Sequence, residues 1–309
     1  MSVRELLVLG TASQVPTRTR AHNGYLFRID GVGVLVDPGE GTQRQLTFGG
    51  ARASSIGHIL VTHAHGDHCL GLPGILQRLS LDGVPGPVHV HFPRDAEGSI
   101  RRLRHATPYA DHTEVVLHPD VPGEVGTADR FTIRAVALSH GTSDLPVPTL
   151  GWRLEEASGR RLDPRRLARF GVPRAARGEL VAEGRVDVGG RRIDLHQVSD
   201  PRPGQVAAVI MDTRDGDGAR ACADGADLLV IEATFLEDQR ELAEEVGHLT
   251  AGQAATIARD VGARRVVLTH LSQRYPDLTG HLEEARAVAP ELDLTVASDL
   301  DVIPFPPRR

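Results

Sequence analysis

The segment Thr62-His63-Ala64-His65-Gly66-Asp67-His68 places three imidazoles and one carboxylate among seven consecutive residues. It directly follows the apolar run Ile59–Val61, so we expect it at the end of a buried strand. Imidazole and carboxylate groups are ligands that suit zinc, and a tight turn can aim the first two histidines at one ion and the aspartate with the last histidine at another. The alternative is a polar loop with accidental histidines, which leaves the burial cost of so many polar groups unexplained.

Further candidate ligands recur after other apolar, β-branched runs. His140 follows residues 131–138, Asp212 follows residues 206–211, and His270 follows residues 266–269. Clefts beyond the carboxyl ends of strands are where α/β sheets place their ligands. Taken singly, each of these residues is more typical of a structural histidine or a turn aspartate. Together with the segment Thr62–His68, they predict a site for two metal ions.

This order of residues, HxHxDH followed by a lone His, a lone Asp and a last His, resembles the metallo-β-lactamase superfamily. Other segments resemble ribonuclease Z in its short form: Leu9–Thr11, Asp37–Gln43, Gly71–Gly74, Met211–Arg214, Glu232–Phe235, His248–Thr250 and Leu268–Tyr275. The resemblance runs in order along nearly the whole chain. It implies an α/β fold, the metallo-β-lactamase αβ/βα sandwich of two mixed β-sheets flanked by helices. It also implies one domain over residues 1–309, with a protruding basic arm at about 153–197.

The resemblance also implies the metal centre and its catalytic groups. One Zn²⁺ is expected on His63, His65, His140 and Asp212, and a second Zn²⁺ on Asp67, His68, Asp212 and His270, with Asp212 bridging. Asp67 is expected to accept a proton, and His248 to stabilise or protonate the leaving group while Glu232 orients its imidazole. On the alternative interpretation, His248 merely precedes Thr250, the N-cap of a helix predicted over Ala251–Val261.

The activity that the resemblance implies is removal of the 3′ trailer from precursor tRNA, leaving a 3′-hydroxyl on the tRNA and a 5′-phosphate on the trailer. Ser272, Arg274 and Tyr275, just past His270, are expected to contact the substrate phosphate, although Arg274 could instead pair with a carboxylate. A homodimer is also expected. Two alternatives stay open: a general phosphodiesterase or small-molecule hydrolase of the superfamily, and a catalytically weak, metal-bound RNA-binding protein.

The sequence departs from the family pattern in three places. Ile231 stands where the family usually has His, and Leu249 where it usually has Ser, so a thinner hydrogen-bond network is expected around Glu232. The segment Phe170–Leu180, which aligns with the family's arm, lacks the Gly-Pro pair. The altered arm is the feature that favours a small-molecule hydrolase, and Ile231 with Leu249 favours an RNA-binding protein. The expected metal ligands are intact.

The arm segment is nevertheless rich in arginine. Its candidate RNA-docking residues are Arg160, Arg161, Arg165, Arg166, Arg169, Arg174 and Arg177. Asp163-Pro164 is an N-cap and N1 signal, and Gly171 with Pro173 is a stop signal, which predicts a short helix over Pro164–Phe170. Guanidinium groups bind successive phosphates without reading sequence. The alternative is a solvated loop in a chain that has no lysine at all.

Composition limits the remaining choices. A chain of 309 residues with 40% hydrophobic content can bury a substantial core. The net charge of −6 argues against a general nucleic-acid coat protein, but two zinc ions would keep the site cationic. Two cysteines, Cys69 and Cys222, are too few for a disulfide framework and suit a reducing cytoplasm, and Cys69 is expected to be a small buried side chain. No apolar run approaches about 18 residues, so no membrane partner is expected.

Periodicity predicts an alternation of strands and helices. Strands are predicted in Glu5–Leu9, Gly24–Val36, Ile56–Thr62, Val206–Met211, Leu228–Glu232, Val266–Thr269 and Asp293–Val296. Helices are predicted near Pro73–Ser80 and in Pro164–Phe170, Glu237–Glu245, Ala251–Val261 and His281–Ala289. Two strands that end in Thr-His, at residues 62–63 and 269–270, hint at two related halves.

Overall fold

A computed structural model describes residues 3–308 of the chain. The contacts divide it into two compact units. The first unit consists of two segments, the residues up to Glu155 and Val206–Pro306. The second unit consists of Glu156–Gln205 and the C-terminal residues from Pro307. The interpretation of residues 156–205 as a protruding arm on a single domain stays a prediction.

The described residues form the following strands: β1 (Arg4–Gly10), β2 (Gly24–Ile29), β3 (Val32–Val36), β4 (Ile56–Leu60), β5 (Val88–Pro93), β6 (Val115–Asp120), β7 (Gly123–Ala128), β8 (Phe131–Thr142), β9 (Leu145–Glu156), β10 (Gly159–Leu162), β11 (Arg185–Val188), β12 (Arg191–Asp194), β13 (Ser199–Arg202), β14 (Val206–Ile210), β15 (Leu228–Glu232), β16 (Arg265–Thr269), β17 (Asp293–Val296) and β18 (Val302–Pro304).

The α-helices of the same residues are α1 (Thr42–Phe48), α2 (Gly66–Cys69), α3 (Leu72–Leu81), α4 (Glu97–Arg104), α5 (Pro164–Arg169), α6 (Arg177–Glu183), α7 (Asp217–Ala223), α8 (Arg240–Val246), α9 (Ala251–Asp260) and α10 (Thr279–Val288). Short 3₁₀ turns occupy Ala53–Ser55, Arg94–Ala96, Arg174–Ala176, Leu195–Val198 and Glu237–Gln239.

The first unit contains two mixed sheets, each of seven strands within the described residues. One sheet has the order β18-β1-β2-β3-β4-β5-β6, in which β3, β4, β5 and β6 run parallel. The other has the order β17-β16-β15-β14-β9-β8-β7, in which β14 to β17 run parallel. Parallel neighbours bring their carboxyl ends to one edge of each sheet, and the candidate ligands follow β4, β14 and β16.

Three apolar layers show that the sheets form a sandwich. The middle layer joins Phe27 and Leu60 of the first sheet to Trp152 and Val230 of the second. The outer layers pack helices α1, α3 and α4 on the first sheet, and α7, α9 and α10 on the second. The predicted αβ/βα sandwich is therefore confirmed. Burial on both faces explains why β14 and β15 are almost continuous apolar runs.

The second unit has a small core of its own. Six buried side chains form it: Leu167, Val172, Leu180, Val186, Ile193 and Val198. The predicted helix in this segment is confirmed as α5, and the Asp163 side chain caps it by accepting the backbone N–H groups of Arg165 and Arg166.

Most of the predicted elements are present with shifted ends. The predicted stretch Gly24–Val36 is a hairpin of β2 and β3, which turns at Asp30 and Gly31, two residues with positive φ. The predicted helix Glu237–Glu245 begins instead as a 3₁₀ turn and becomes α-helical at Arg240. Within residues 3–308, no helix is long and apolar enough to cross a membrane.

Candidate metal centre

The segment Thr62–His68 follows β4 and leads into the short helix α2. His65 is the N-cap of that helix and has extended backbone angles, while Asp67 and His68 lie in its first turn. The backbone therefore changes direction at His65. Beyond this change, the ligand atoms of His63 and His65 belong to one group and those of Asp67 and His68 to another.

Three residues just beyond parallel strands have left-handed backbone conformations. They are Asp37 after β3 (φ 46°), Asp212 after β14 (φ 40°) and His270 after β16 (φ 58°). A non-glycine residue pays about 1–2 kcal/mol for this conformation, so it persists only where surrounding contacts hold it. All three side chains are buried and turn toward the same cluster of polar groups.

Four of the predicted ligands meet around one oxygen of Asp212. Its Oδ2 lies 3.5 Å from His63 Nε2 and 3.6 Å from His140 Nε2. His140 Nε2 also lies 3.4 Å from His65 Nδ1. The ligand atoms of these four residues lie within 4.8 Å of one another, which suits one metal ion. His140 does not follow its strand, as the apolar run suggested, but lies inside it, because β8 continues to Thr142.

The other oxygen of Asp212 faces the second group. Its Oδ1 lies 3.3 Å from His68 Nε2 and 3.1 Å from His270 Nε2. Asp67 Oδ2 lies 3.3 Å and 3.5 Å from the same two nitrogens. Asp67, His68 and His270 thus form a second group that suits one ion. The structure brings all seven predicted ligands together, with Asp212 between the two groups.

Buried oxygens on the far side of the rings orient two of the histidines. Asp37, fully buried, accepts the Nδ1–H of His68 at 2.8 Å and the hydroxyl of Thr62 at 2.7 Å. Because the Thr62 hydroxyl donates to Asp37, it accepts from the Nδ1–H of His63 at 3.1 Å. Both histidines therefore carry their proton on Nδ1, which leaves the Nε2 lone pair facing the cluster.

The remaining Nε2 ligands are oriented in the same way. The Thr234 hydroxyl donates to Glu232 Oε2 at 2.5 Å and accepts the Nδ1–H of His270 at 2.7 Å. His140 donates its Nδ1–H to the carbonyl oxygen of Gly247 at 2.9 Å. Gly247 has φ 82°, and a Cβ there would lie 2.8 Å from the backbone nitrogen of Gly141, so only glycine fits.

Unpartnered atoms show that the cluster fits a metal. His63 Nε2, His270 Nε2 and Asp212 Oδ1 are buried and have no hydrogen-bond partner. Buried polar atoms are normally satisfied, so these three atoms, which belong to the two ligand groups, suit a site that binds cations. Burial, together with the neighbouring His68, holds the pKa of His63 well below its usual value, which keeps that imidazole neutral. Burial opposes ionisation of Asp212, but His270 and His68 hold its pKa well below the usual range.

Glu232 and His248 form a buried pair beside the cluster. His248 Nδ1 lies 3.0 Å and 3.1 Å from the two Glu232 oxygens, and its Nε2 lies 3.9 Å from Asp212 Oδ2. Although burial opposes protonation, Glu232 and then Asp212 raise the pKa of His248 to about 9. The imidazole is therefore protonated at neutral pH and presents an N–H toward the cluster.

The two substituted positions beside Glu232 and His248 carry apolar side chains that make no hydrogen bond to Glu232. Ile231 and Leu249 are fully buried in the apolar layer between the second sheet and its helices. Glu232 instead accepts the backbone N–H of Thr213 at 2.6 Å and the hydroxyl of Thr234, besides its contact with His248. Backbone and threonine donors thus surround Glu232, and a network thinner than that of the family stays a prediction.

A cleft of about 390 Å³ opens over the cluster. Ser272 and Arg274 line it, and the backbone N–H of Arg274 donates to the Ser272 hydroxyl at 3.3 Å. Tyr275 is not among the lining residues. Its hydroxyl accepts the backbone N–H of Leu236 at 3.1 Å and donates to Asp238 at 3.2 Å. This geometry does not support a direct contact between Tyr275 and the substrate phosphate. The two hydrogen bonds of its hydroxyl instead suit a role in holding the loop that contains Ser272 and Arg274.

Several supporting residues were missed by sequence reasoning. Asp37, Thr62 and Thr234 orient histidines, but the sequence around the two threonines does not distinguish them from ordinary turn or strand residues. For Asp37 the sequence offered one signal: it is an aspartate just after an apolar strand, as Asp212 is. Cys69, expected to be a small buried side chain, is buried, and its thiol donates to the His65 carbonyl at 3.0 Å.

The seven predicted RNA-docking arginines of the second unit differ in their contacts. Arg160 binds Ser199, while Arg166 binds Asp163 and Asp200, so these two stabilise the unit itself. Four others, Arg161, Arg165, Arg169 and Arg174, are exposed. Arg177 is half-buried, and its Nε has no hydrogen-bond partner among the described residues.

This fold and this cluster define the class of protein. Residues 17–153 match the sequence model of the metallo-β-lactamase superfamily, and residues 197–271 match a β-lactamase superfamily domain. Solved structures of this architecture include the metallo-β-lactamase fold protein YhfI from Bacillus subtilis, with a TM-score of 0.68 at 20% identity over 98% of this chain and 99% of that one. The class is therefore that of metallo-β-lactamase-fold, metal-binding hydrolases.

Full-length relatives narrow the class to one family. Ribonuclease Z of Salinispora arenicola is 51% identical, over 100% of this chain and 98% of the relative. Ribonuclease Z of Chlamydia pneumoniae is 40% identical, over 99% and 98%. The structure of human tRNase Z, short form, matches with a TM-score of 0.69 and 26% identity over 98% of this chain and 99% of that one. The chain belongs to the ribonuclease Z family of metal-dependent endoribonucleases.

Proposed function

We propose that this chain cleaves the 3′ trailer from precursor tRNA, leaving a 3′-hydroxyl on the tRNA and a 5′-phosphate on the trailer. The observation that carries the proposal is the position of Asp212, which presents one oxygen to each of two groups of ligands at the floor of an open cleft. Membership of the ribonuclease Z family supports the choice of substrate.

Two Zn²⁺ ions would be held at this position. The first would lie on His63, His65, His140 and Asp212, and the second on Asp67, His68, Asp212 and His270. Imidazole nitrogens and carboxylate oxygens suit zinc. Bound there, the ions would lower the pKa of a water molecule and neutralise charge on a phosphodiester.

The chain's own residues would then handle the protons. Asp67 would accept a proton, a role that membership of the family supports. Although burial raises its pKa, the neighbouring His68 and His270 hold that pKa far below the usual value, so the carboxylate is ionised. His248, kept protonated by Glu232, would donate from Nε2 to the leaving oxygen. Ser272 and Arg274 would bind the phosphate from the cleft wall. Tyr275 would act by holding their loop.

The exposed arginines of the second unit would bind tRNA phosphates. Arg161, Arg165, Arg169 and Arg174 are the candidates, with Arg177 beside them. A homodimer in the cytoplasm is part of the same proposal.

Sedimentation equilibrium of the zinc-loaded protein tests the dimer. A mass of about twice 33.2 kDa is expected, and a chain that stays monomeric at assay concentrations contradicts the dimer.

Cleavage of a 3′-extended precursor tRNA tests the activity, with turnover of bis-p-nitrophenyl phosphate measured on the same zinc-loaded preparation. A cut mapped beside the discriminator nucleotide supports the proposal. Asp67→Ala should reduce both activities by at least about 10²-fold, whereas Asp82→Ala, at an exposed helix end, should leave them unchanged. If bis-p-nitrophenyl phosphate is hydrolysed but the precursor tRNA is not cut, the result would favour a phosphodiesterase that acts on another substrate. A precursor bound but not cut, without ester turnover, would favour an RNA-binding protein.

A further inference from the structure

The cleft over the candidate metal centre has an apolar part that the proposed chemistry does not use. Five of its lining residues form what we call the apolar wall: Leu145, Val147, Phe235, Leu242 and Val246. Most of the lining residues from the loops after β1 and β16 are instead polar: Ser13, Gln14, Ser272, Gln273 and Arg274. Leu145 is 73% exposed, and Leu242 is half-buried. Apolar side chains that are open to solvent beside a reactive cleft are typical of a binding surface.

Hydrogen bonds of Arg214 hold the apolar wall together. The wall combines the first residues of β9, which pairs with β8, with α8 and with Phe235 after β15. The Arg214 guanidinium donates to the carbonyl oxygen of Gly141, in β8, at 2.5 Å. It also donates to the carbonyl oxygens of Glu244 and Glu245, in α8, at 3.1 Å and 3.0 Å. These elements are therefore joined before a substrate binds, which lowers the entropic cost of binding.

The position of His248 decides which nucleotide meets the apolar wall. His248 lies two residues after α8, and its ring and that of Phe235 have centroids 6.0 Å apart. Its Nε2 lies 3.9 Å from Asp212 Oδ2, the oxygen that also faces His140 in β8. In the proposed reaction this Nε2 protonates the leaving oxygen, which is the 3′-oxygen of the last tRNA nucleotide. That nucleotide therefore lies at the end of the cleft that β8 and α8 enclose.

Charge favours a base over the phosphate backbone at the apolar wall. The exposed residues of α8 include Glu241, Glu244 and Glu245, whose carboxylates repel phosphate. The wall itself consists of aliphatic and phenyl side chains, and every unstacked base presents a flat π-face to such a surface. These side chains have no hydrogen-bonding groups, so they do not distinguish the edges of the four bases.

We propose that the apolar wall binds the base of the last tRNA nucleotide, on the 5′ side of the cut, without selecting among the four bases. This inference rests on the proposed function, because the role of His248 assigns the leaving side of the phosphate. Binding of this base fixes the ribose whose 3′-oxygen leaves, and it aligns that oxygen with His248 Nε2. The first trailer nucleotide lies on the other side of the phosphate, so its base contributes little.

Precursor tRNAs that lack one base test this contact. Two variants of the precursor contain an abasic nucleotide, one on the 5′ side of the cut and the other on the 3′ side. We expect kcat/KM of the zinc-loaded chain to fall at least about 10-fold without the 5′ base and less than about 2-fold without the 3′ base. The four ordinary bases at the 5′ position should give values within about 3-fold of one another.

A variant of the wall tests the same contact from the protein side. The double variant Leu145→Ser with Leu242→Ser should cleave the complete precursor at least about 5-fold less efficiently. It should lose little more on the precursor without the 5′ base, because the base and the wall act as one pair. The matched control, Leu81→Ser with Val121→Ser, changes two exposed apolar residues that do not line the cleft, and it should behave as the unchanged chain does. If the double variant does not fold, Leu145→Ser alone is measured in the same way.

Four results would overturn the inference while the complete precursor is cut normally. They are equal cleavage with and without the 5′ base, a larger loss from removal of the 3′ base, a strong preference for one 5′ base, or losses from the wall variant and the abasic precursor that multiply. Failure of the zinc-loaded chain to cut the complete precursor would overturn the proposed function, and this inference with it. The two failures are therefore distinguishable.

Discussion

At the scale of the residue, Asp37 supports the metal centre without facing an ion. Its carboxylate accepts the Nδ1–H of His68 and both the backbone N–H and the hydroxyl of Thr62. Through Thr62 it also orients His63. One buried carboxylate therefore sets the tautomers of one histidine from each ligand group, and its left-handed backbone conformation places it there.

Asp37→Asn should weaken metal binding while leaving every proposed ligand in place. An amide cannot accept all of these hydrogen bonds with equal strength, and loss of such a partner typically costs 10–100-fold in metal affinity or activity. Zinc retention is measured by dialysis against graded concentrations of a chelator. Asp82→Asn, at an exposed helix end, serves as the control. Retention equal to that of the unchanged chain would show that Asp37 does not orient the histidines.

At the scale of the element, helix α10 buries an ionisable side chain. His281 is fully buried, and its ring meets that of Tyr275 edge-on with centroids 4.9 Å apart. Burial, and then the positive charge of Arg20, lowers the pKa of His281 to about 4. The folded chain therefore keeps this ring neutral at a pH where the unfolded chain protonates it.

This helix should make the fold acid-sensitive. Because the folded pKa lies below the unfolded value of about 6.5, stability is complete above pH 6.5 and falls as the pH drops toward 4, by up to about 3 kcal/mol. We expect His281→Gln to lose less stability than the unchanged chain between pH 7 and pH 5, measured by urea unfolding. Comparing the two chains removes the common effect of acid on the metal centre. Parallel losses in both chains would contradict the assignment to His281.

The arginines of the second unit act at the same scale. Changing four exposed candidate docking residues, Arg161, Arg165, Arg169 and Arg174, to Gln should raise the KM for precursor tRNA at least 10-fold. It should also flatten the salt dependence of tRNA binding, because each lost phosphate contact removes about 0.7–0.9 from the logarithmic slope. Turnover of bis-p-nitrophenyl phosphate should not change, since the catalytic residues are untouched.

The matched control changes four exposed arginines of the first unit, Arg101, Arg240, Arg259 and Arg286, to Gln. It removes the same net charge. It therefore distinguishes the loss of local arginine–phosphate contacts from a general change in the electrostatic attraction between the protein and tRNA. Equal loss of tRNA affinity in both variants would contradict the proposal that the second unit binds tRNA. Arg160 and Arg166 stay unchanged in both variants because they bind residues within their own unit.

At the scale of the whole molecule, the metal centre joins both sheets of the first unit. The ligands His63 and His68 follow a strand of one sheet, while Asp212 and His270 follow strands of the other. Ions bound between them should therefore add to the stability of the sandwich as well as to its chemistry. The apolar layer between the sheets provides the remaining contact.

Removal of both ions by a chelator should lower the melting temperature by about 10–20 °C. Each ion present at 100 times its dissociation constant contributes about 2.7 kcal/mol, and a protein of about 150–250 residues shifts by about 2–4 °C per kcal/mol. Adding zinc should restore both the melting temperature and tRNA cleavage. A chelator already saturated with zinc is the control. An unchanged melting temperature with complete loss of zinc would show that the ions do not link the sheets.

Much of this protein follows from its sequence alone, because ligand chemistry and strand periodicity are local properties. The sequence predicts the metal ligands because their residue types lie in or after apolar runs. These ligands are in the segment Thr62–His68 and at His140, Asp212 and His270. The alternation of strands and helices followed from the same runs, whereas the sandwich was implied by the resemblance to the metallo-β-lactamase superfamily. The Asp163 cap also followed, because a capping hydrogen bond spans only two or three residues.

Only the tertiary structure decided contacts between residues far apart in the chain. The two oxygens of Asp212 face different ligand groups, Asp37 orients two histidines, and Tyr275 turns its hydroxyl away from the cleft toward Asp238. The apolar wall of the cleft likewise combines residues of β9, of α8 and of the loop after β15. The packing of sheets and helices against one another sets which elements meet, so no local pattern shows which apolar residues face the cleft.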